Sequence, residues 1–374
     1  MVICHTPRVP EINANHNRPG DPLPSWSKVR RGLRIFVVLS TVGLVFVLYR
    51  SSFAASVQHL RSFQWQFLLL ATAMMVLDWL AAGARIYVFA SKLQPGISYR
   101  GCVRAGLANI FLGGVTPSQT GGGPGQIYVL YKEGMPVFDA MVVSFLGGFL
   151  CSALFLPACG IAATLLFDPV SIDYRLRYLV EGSSIALGLI VVLAVIGLID
   201  PAAVQRGTRR LLGWLPPLGR WLERKGVVDI TMDLIERYHH MMKYFIARGK
   251  RTFAAGLILP AIVYFNKFLI AYVVLRGLGV AADFWEVIYS QIVLILIFYF
   301  APSPGASGVA EVSTAEVMKG IIPAGYGGAF VLLWRLFTLF VSVAVGAAVT
   351  IRVLYKNRVD SGAAVIDYRS ETQK

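Results

Sequence analysis

The sequence has little charge. Only 15% of its 374 residues are Asp, Glu, Lys or Arg, against about 25% in a typical soluble domain. Hydrophobic residues make up 56%. This balance excludes a disordered chain and most soluble enzymes, and it leaves a polytopic membrane protein. Cysteine is scarce. Cys4, Cys102, Cys151 and Cys159 form neither a CxxC pair nor a disulfide framework. His5, His16, His59, His239 and His240 show no ligand spacing on a helix face, so no metal and no cofactor is expected. A Walker A sequence is missing, so ATP is not expected to drive the protein directly. Glu133, Asp139 and Glu286 stand alone rather than as paired carboxylates, so the protein is not expected to be an enzyme. Acidic residues number 20 against 35 Lys and Arg, a net charge of +15. In a membrane chain such an excess collects in cytoplasmic loops, so no nucleic-acid partner is expected.

What the sequence has instead is long apolar runs. A span needs roughly 20 mostly apolar residues. Runs at about 34–50, 66–90, 137–167, 180–200, 252–276, 284–300 and 325–352 supply seven. The expected fold class is therefore an all-α polytopic membrane protein, with Pro157 a kink site in the third run. Residues 1–33 are polar and Pro/Asn-rich, so the first run reads as an uncleaved span and not as a signal peptide. The expected organisation is a polar N-tail at 1–33, a membrane domain at 34–354 and a polar C-tail at 355–374.

Loop charges give an orientation. The segment 1–34 carries six basic and two acidic residues, 201–251 carries eleven and four, and 91–105 carries Lys92, Arg100 and Arg104 with no acid. These three are expected on the cytoplasmic side. That requires 104–134 to dip into the membrane and return to the same side. The C-terminal segment from Arg352, with five basic and three acidic residues, also reads as cytoplasmic. Seven spans would put it opposite the N-tail, and a crossing within 301–323 would raise the number to eight. Within 201–251, Val227, Ile230, Leu234, Tyr238, Met241 and Phe245 recur every three or four residues. They form an amphipathic helix at the interface or the lead-in to the next span. The basic residues around them would attract anionic lipid headgroups.

Two segments break the apolar pattern. One runs from Asn109 through Pro117-Ser118 and Gly121-Gly122-Gly123 to Pro124-Gly125. The other is Ala301-Pro302-Ser303-Pro304-Gly305-Ala306-Ser307-Gly308 and ends on Glu311. Each begins with a Pro-Ser pair, Pro117-Ser118 or Pro302-Ser303. Broken backbone at membrane depth is tolerated only where protein or a wet cavity satisfies it. A matched pair of such segments in two halves points to a transporter binding site and to an inverted repeat. Helix N-termini there would suit an anionic group such as phosphate. Two interfacial turns are the plainer reading, but an approach as apolar as Ile110-Phe111-Leu112 followed by three glycines argues for buried elements.

Charges also fall inside the runs. Asp78 and Arg85 lie seven residues apart on one helix face, Asn266 and Lys267 sit mid-run, and Arg335 lies in an apolar stretch. A central charge costs roughly 2.5–3.5 kcal/mol on insertion scales, so these side chains should face inward and pair. On the functional reading, Arg85, Lys267 and Arg335 receive an anionic headgroup and Glu311 balances them. On the structural reading, Asp78 pairs with Arg85 and Glu311 with Arg335.

The stretch Asn109 to Gly134, the segment 301–311 and Trp334-Arg335-Leu336-Phe337-Thr338 together resemble the lysylphosphatidylglycerol synthase transmembrane-region family. The resemblance covers about residues 34–355. The family's second motif reads Pro-x-Pro-Gly-Gly-x-Gly-x-x-Glu, which Pro302, Pro304, Gly305, Gly308 and Glu311 match, while Ala306 replaces a glycine. Gly123 stands where the first motif often carries an acid. The resemblance implies a flippase-like module. Members that carry a fused aminoacyl-transferase domain extend well past the last span, whereas this sequence ends about 20 residues beyond it, so the chain is expected to be a stand-alone lipid translocator. Its expected partners are an anionic or aminoacylated membrane lipid as substrate and anionic headgroups at the cytoplasmic face, with a homo-oligomer left open. A bacterial-type inner membrane is the expected location, with the N-terminus cytoplasmic. A secondary transporter for a small soluble anion and an enzyme acting on lipid-linked substrates remain as alternatives.

Overall fold

The computed structural model describes residues 26–166, 174–200, 206–207, 235–236, 238–241, 243 and 249–354. The N-tail before Trp26, most of 201–251 with its amphipathic pattern, and the C-tail beyond Leu354 lie outside the described residues. Helix is the only regular secondary structure among the described residues, which contain no strand. That follows from uninterrupted apolar runs, which in hydrocarbon must satisfy their own backbone groups.

The helices among the described residues include α1 (Trp26–Arg50), α2 (Phe53–Arg61), α3 (Trp65–Leu93), α4 (Tyr99–Gly114), α5 (Gly122–Lys132), α6 (Val137–Val143), α7 (Cys151–Leu166), α8 (Tyr174–Ile199), α9 (Lys250–Gly277), α10 (Phe284–Tyr299), α11 (Val309–Val317) and α12 (Gly327–Leu354). Among the described residues, four helices are long and apolar enough to cross a membrane: Ser27–Arg50 of α1, α3, α9 and α12. Three shorter apolar stretches, Val137–Gly148, Glu181–Leu193 and Phe284–Tyr299, lie in the other three apolar runs. The run at 284–300 forms only the 16 residues of α10, about 24 Å at 1.5 Å per residue and short of a 30 Å hydrocarbon core. The run at 137–167 is divided, with a π-helical turn at Ser144–Leu150 separating α6 from α7, and Pro157 lies inside α7. Helix α1 begins at Trp26, earlier than the apolar run at 34, and takes Lys28, Arg30, Arg31 and Arg34 into its first turns.

Large apolar side chains such as Val38, Leu69, Leu189 and Ile258 are exposed on the outside. Hydrocarbon, not water, is the medium that suits such a surface. Inside, α3, α9 and α12 share one core, which includes Ala71, Met75, Ile270, Val274, Phe330 and Trp334.

The same order of elements occurs twice: long helix, 16-residue helix, Pro/Gly turn, short helix. The first set is α3, α4, a turn at Pro117–Gln119 and α5. The second is α9, α10, a turn at Pro304–Ala306 and α11. The leading helices of the two sets pack antiparallel. The Gln64 amide donates to the Gly277 carbonyl at 3.0 Å, the Asn266 amide to the Met74 carbonyl at 2.9 Å, and Gly256 lies against the Phe89 ring. The two hairpins therefore start from opposite ends of the bundle, and their tips meet inside it. A Cβ on Gly305 would lie 3.0 Å from the Gly114 carbonyl oxygen.

The first hairpin returns to where it began. The Gln94 side chain donates to the Gly134 carbonyl at 3.0 Å, and Arg104 pairs with Glu133. Helix α1 covers the second tip. Ser40 donates to Ser307 at 2.8 Å, and a Cβ on Gly43 would lie 3.1 Å from Glu311 Cβ. Small residues are what permit such close helix packing.

Candidate functional site

The two tips share one backbone course. After Pro117 come Ser118 and Gln119 with φ of 49° and 56°, and after Pro304 come Gly305 and Ala306 with φ of 57° and 55°. Four residues beyond each proline a glycine, Gly121 or Gly308, starts the following helix. Pro117 thus corresponds to Pro304 and not to Pro302, so the two Pro-Ser pairs are two residues out of register.

The expectation of helix starts open to an anion also changes. The Gly121 amide donates to Thr116 Oγ1 at 2.8 Å. The Gly308 amide donates to Glu311 Oε2 at 2.6 Å. Each first amide already has a partner from its own hairpin. At the second tip that partner is a carboxylate, which also suits the positive end of a helix.

A cavity of about 250 Å3 lies where the tips meet. Its polar lining includes Asp78, Arg85, Asn109, Gln119, Lys267 and Arg335, and Gly305 contributes tip backbone. Tyr264, Tyr299 and Trp334 supply aromatic surface. Arg335 is 4% exposed at its side chain and Glu311 is 0%. Arg335 Nε donates to Glu311 Oε1 at 3.0 Å and Nη2 to the Gly305 carbonyl at 3.1 Å. The guanidinium lies 5.4 Å from the centre of the Phe340 ring. Arg335 therefore clamps the second tip through two of its five N–H donors. A π-helical turn, Leu336–Phe340, follows it directly, and such widened turns are frequent at functional sites.

The second ion pair joins the two long antiparallel helices. Lys267 Nζ donates to Asp78 Oδ2 at 2.8 Å, with the side chains 28% and 6% exposed. This pair replaces the Asp78–Arg85 pairing that sequence spacing suggests. A polar chain continues into the first hairpin, where Asn109 donates to Gln126 at 3.1 Å and Gln126 donates to Ser144 at 3.0 Å. Arg85, Lys267 and Arg335 thus bring three cationic side chains to the cavity, where Asp78 pairs with Lys267 and Glu311 with Arg335.

Of the residues expected at a binding site, Arg85, Asn109, Lys267, Gly305 and Arg335 come together around the cavity. Pro117 and Ser118 are exposed on the first tip, beside Gln119. Gly121 and Gly122 pack the two arms of the first hairpin, and a Cβ on Gly122 would lie 3.0 Å from the Asn109 carbonyl. Pro304 and Glu311 are buried behind the cavity, Gly308 starts α11, and Pro302 is exposed. Sequence reasoning gave Asp78 no place at the site, although an acid in an apolar run is its signal. Gln119, Tyr264, Gln291, Tyr299, Trp334 and Thr338 were missed. Trp334 is the neighbour of Arg335, but the others carry no local mark. Among the described residues no cluster of His, Cys, Asp and Glu could hold a metal.

Comparison with known proteins agrees with this architecture. Residues 33–346 match the family described as the lysylphosphatidylglycerol synthase TM region. A UPF0104 membrane protein of Archaeoglobus fulgidus is 22% identical over 313 residues, covering 84% of this chain and 94% of that protein. The family match spans both hairpins of this helical bundle, and the chain belongs to the lysylphosphatidylglycerol synthase transmembrane-region family of membrane proteins.

Proposed function

We propose that the protein moves a phospholipid or lipid-linked headgroup between membrane leaflets, as a transporter and not as an enzyme. The observation that carries this reading is the cavity at the tip junction, with its three cationic side chains and its place among helices that face hydrocarbon. A volume of about 250 Å3 accepts a headgroup but not two acyl chains, so the tails stay in the bilayer. Lys267 and Arg85 receive the phosphate, which competes with Asp78 for Lys267. Arg335 holds the second tip in place and offers its remaining donors. Asn109, Gln119 and the tip backbone replace part of the headgroup's lost hydration.

On this reading each hairpin is re-entrant, one from each side, and the two sets of elements are an inverted repeat. The bundle then crosses the membrane seven or eight times. The basic N-tail lies in the cytoplasm, in an inner membrane whose anionic lipids it attracts. The volume would also admit a small soluble anion, which keeps a secondary anion transporter as the second reading.

Reconstitution into vesicles tests the proposal. A tail-labelled phospholipid is followed by its accessibility to an impermeant quencher, and uptake of inorganic phosphate is measured in parallel. Lipid translocation above protein-free vesicles supports the first reading. Phosphate uptake without lipid movement supports the second.

A further inference from the structure

Among the described residues, Asp78 Oδ1 and Trp334 Nε1 are buried polar atoms on cavity-lining residues that find no hydrogen-bond partner. Asp78 is 5% exposed and Trp334 is 5% exposed. An ionised carboxylate only accepts and an indole N–H only donates, so the two atoms ask for opposite things. Buried groups of this kind are nearly always satisfied, and an exception calls for a ligand or a solvent molecule. The other carboxylate oxygen is engaged by Lys267, which holds Oδ1 in place beside the cations that would take a phosphate.

We propose that Asp78 Oδ1 and Trp334 Nε1 are ligand contacts, and that the headgroup is a phosphodiester carrying an O–H or N–H donor. This rests on the lipid-translocation reading above. Trp334 donates to an oxygen of the headgroup. Asp78 accepts from its hydroxyl or ammonium, and that contact sets the preference. A bare phosphodiester satisfies the cations and Trp334 but leaves Asp78 Oδ1 unmet. The site therefore discriminates by the donor and not by the net negative charge alone.

Phosphatidylmethanol, phosphatidylglycerol and phosphatidylethanolamine separate these terms. All three are phosphodiesters. The first has no donor, the second offers hydroxyls and the third an ammonium. Each, tail-labelled at trace level, is followed for initial translocation in vesicles holding the purified full-length protein.

The expected result is that phosphatidylglycerol, phosphatidylethanolamine or both move about tenfold faster than phosphatidylmethanol, as one charge-assisted hydrogen bond allows. Which one leads distinguishes hydroxyl from ammonium. Asp78→Asn is expected to level the three rates. Trp334→Phe keeps the ring and is expected to slow all three about threefold. Equal rates in wild type overturn the inference and leave lipid translocation standing. A donor preference undiminished in Asp78→Asn, or unchanged rates in Trp334→Phe, overturn the assignment of that residue. No movement of any lipid above protein-free vesicles overturns the translocation reading, and this inference with it. If Asp78→Asn does not fold, the wild-type comparison and Trp334→Phe still decide.

Discussion

Ser118 and Gly305 hold the same left-handed backbone, φ/ψ of 49°/30° and 57°/23°, each one residue after a proline at the tip of its hairpin. The likeness has unequal consequences. Ser118 is exposed and bears a mild conformational cost. Gly305 is pressed by Phe36 on one side and by the Gly114 carbonyl on the other.

Replacing each residue should therefore act in opposite directions. Ser118→Gly relieves left-handed strain and should raise or preserve stability, by up to about 1 kcal/mol. Gly305→Val adds a branched side chain where φ is positive and space is absent, and it should lower stability by more than that. Thermal unfolding in detergent, compared with wild type, checks both signs.

The Glu311–Arg335 pair should behave as a buried clamp. Removing one partner strands a charge, so Arg335→Ala or Glu311→Ala should each destabilise by about 3–5 kcal/mol. Glu311→Ala combined with Arg335→Ala should lose clearly less than the two single changes added together. A double-mutant cycle in detergent measures this. It follows that Arg335→Ala is a poor test of substrate binding, because lost transport and lost tip geometry arrive together.

The docking of α1 on the second tip is open to direct check. Ser40 Oγ and Ser307 Oγ are 2.8 Å apart, so cysteines at both positions should cross-link on mild oxidation. Loss of maleimide labelling, restored by reductant, is the expected outcome. Full labelling after oxidation would mean that α1 does not sit there.

Much of this architecture is legible in the sequence. Apolar length gives α1, α3, α9 and α12, because nothing competes with the hydrophobic run. Pro and Gly mark both tips, since they break helices wherever they fall. The Glu311–Arg335 pair was legible as one of two options. The register of the tips was not. The Pro-Ser pairs set Pro302 opposite Pro117, whereas the shared positive φ places Pro304 there. Asp78 and Arg85 sit on one helix face, yet Asp78 pairs with Lys267, 189 residues away. Tertiary packing of two antiparallel helices decides that contact, and no local pattern encodes it. The π turns at Ser144 and Leu336 are equally silent, because a widened turn has the composition of an ordinary one.

The most direct test of the central claim is lipid translocation in vesicles by Lys267→Ala and Arg85→Ala, each beside wild type. Both side chains line the cavity and neither belongs to the Glu311 clamp. If the headgroup passes through this cavity, each variant should translocate at least about tenfold more slowly, as loss of a charged hydrogen bond implies. Rates are compared at equal amounts of folded reconstituted protein, because Lys267→Ala leaves the buried Asp78 carboxylate without its partner. Wild-type rates from both well-folded variants would contradict passage through the tip junction.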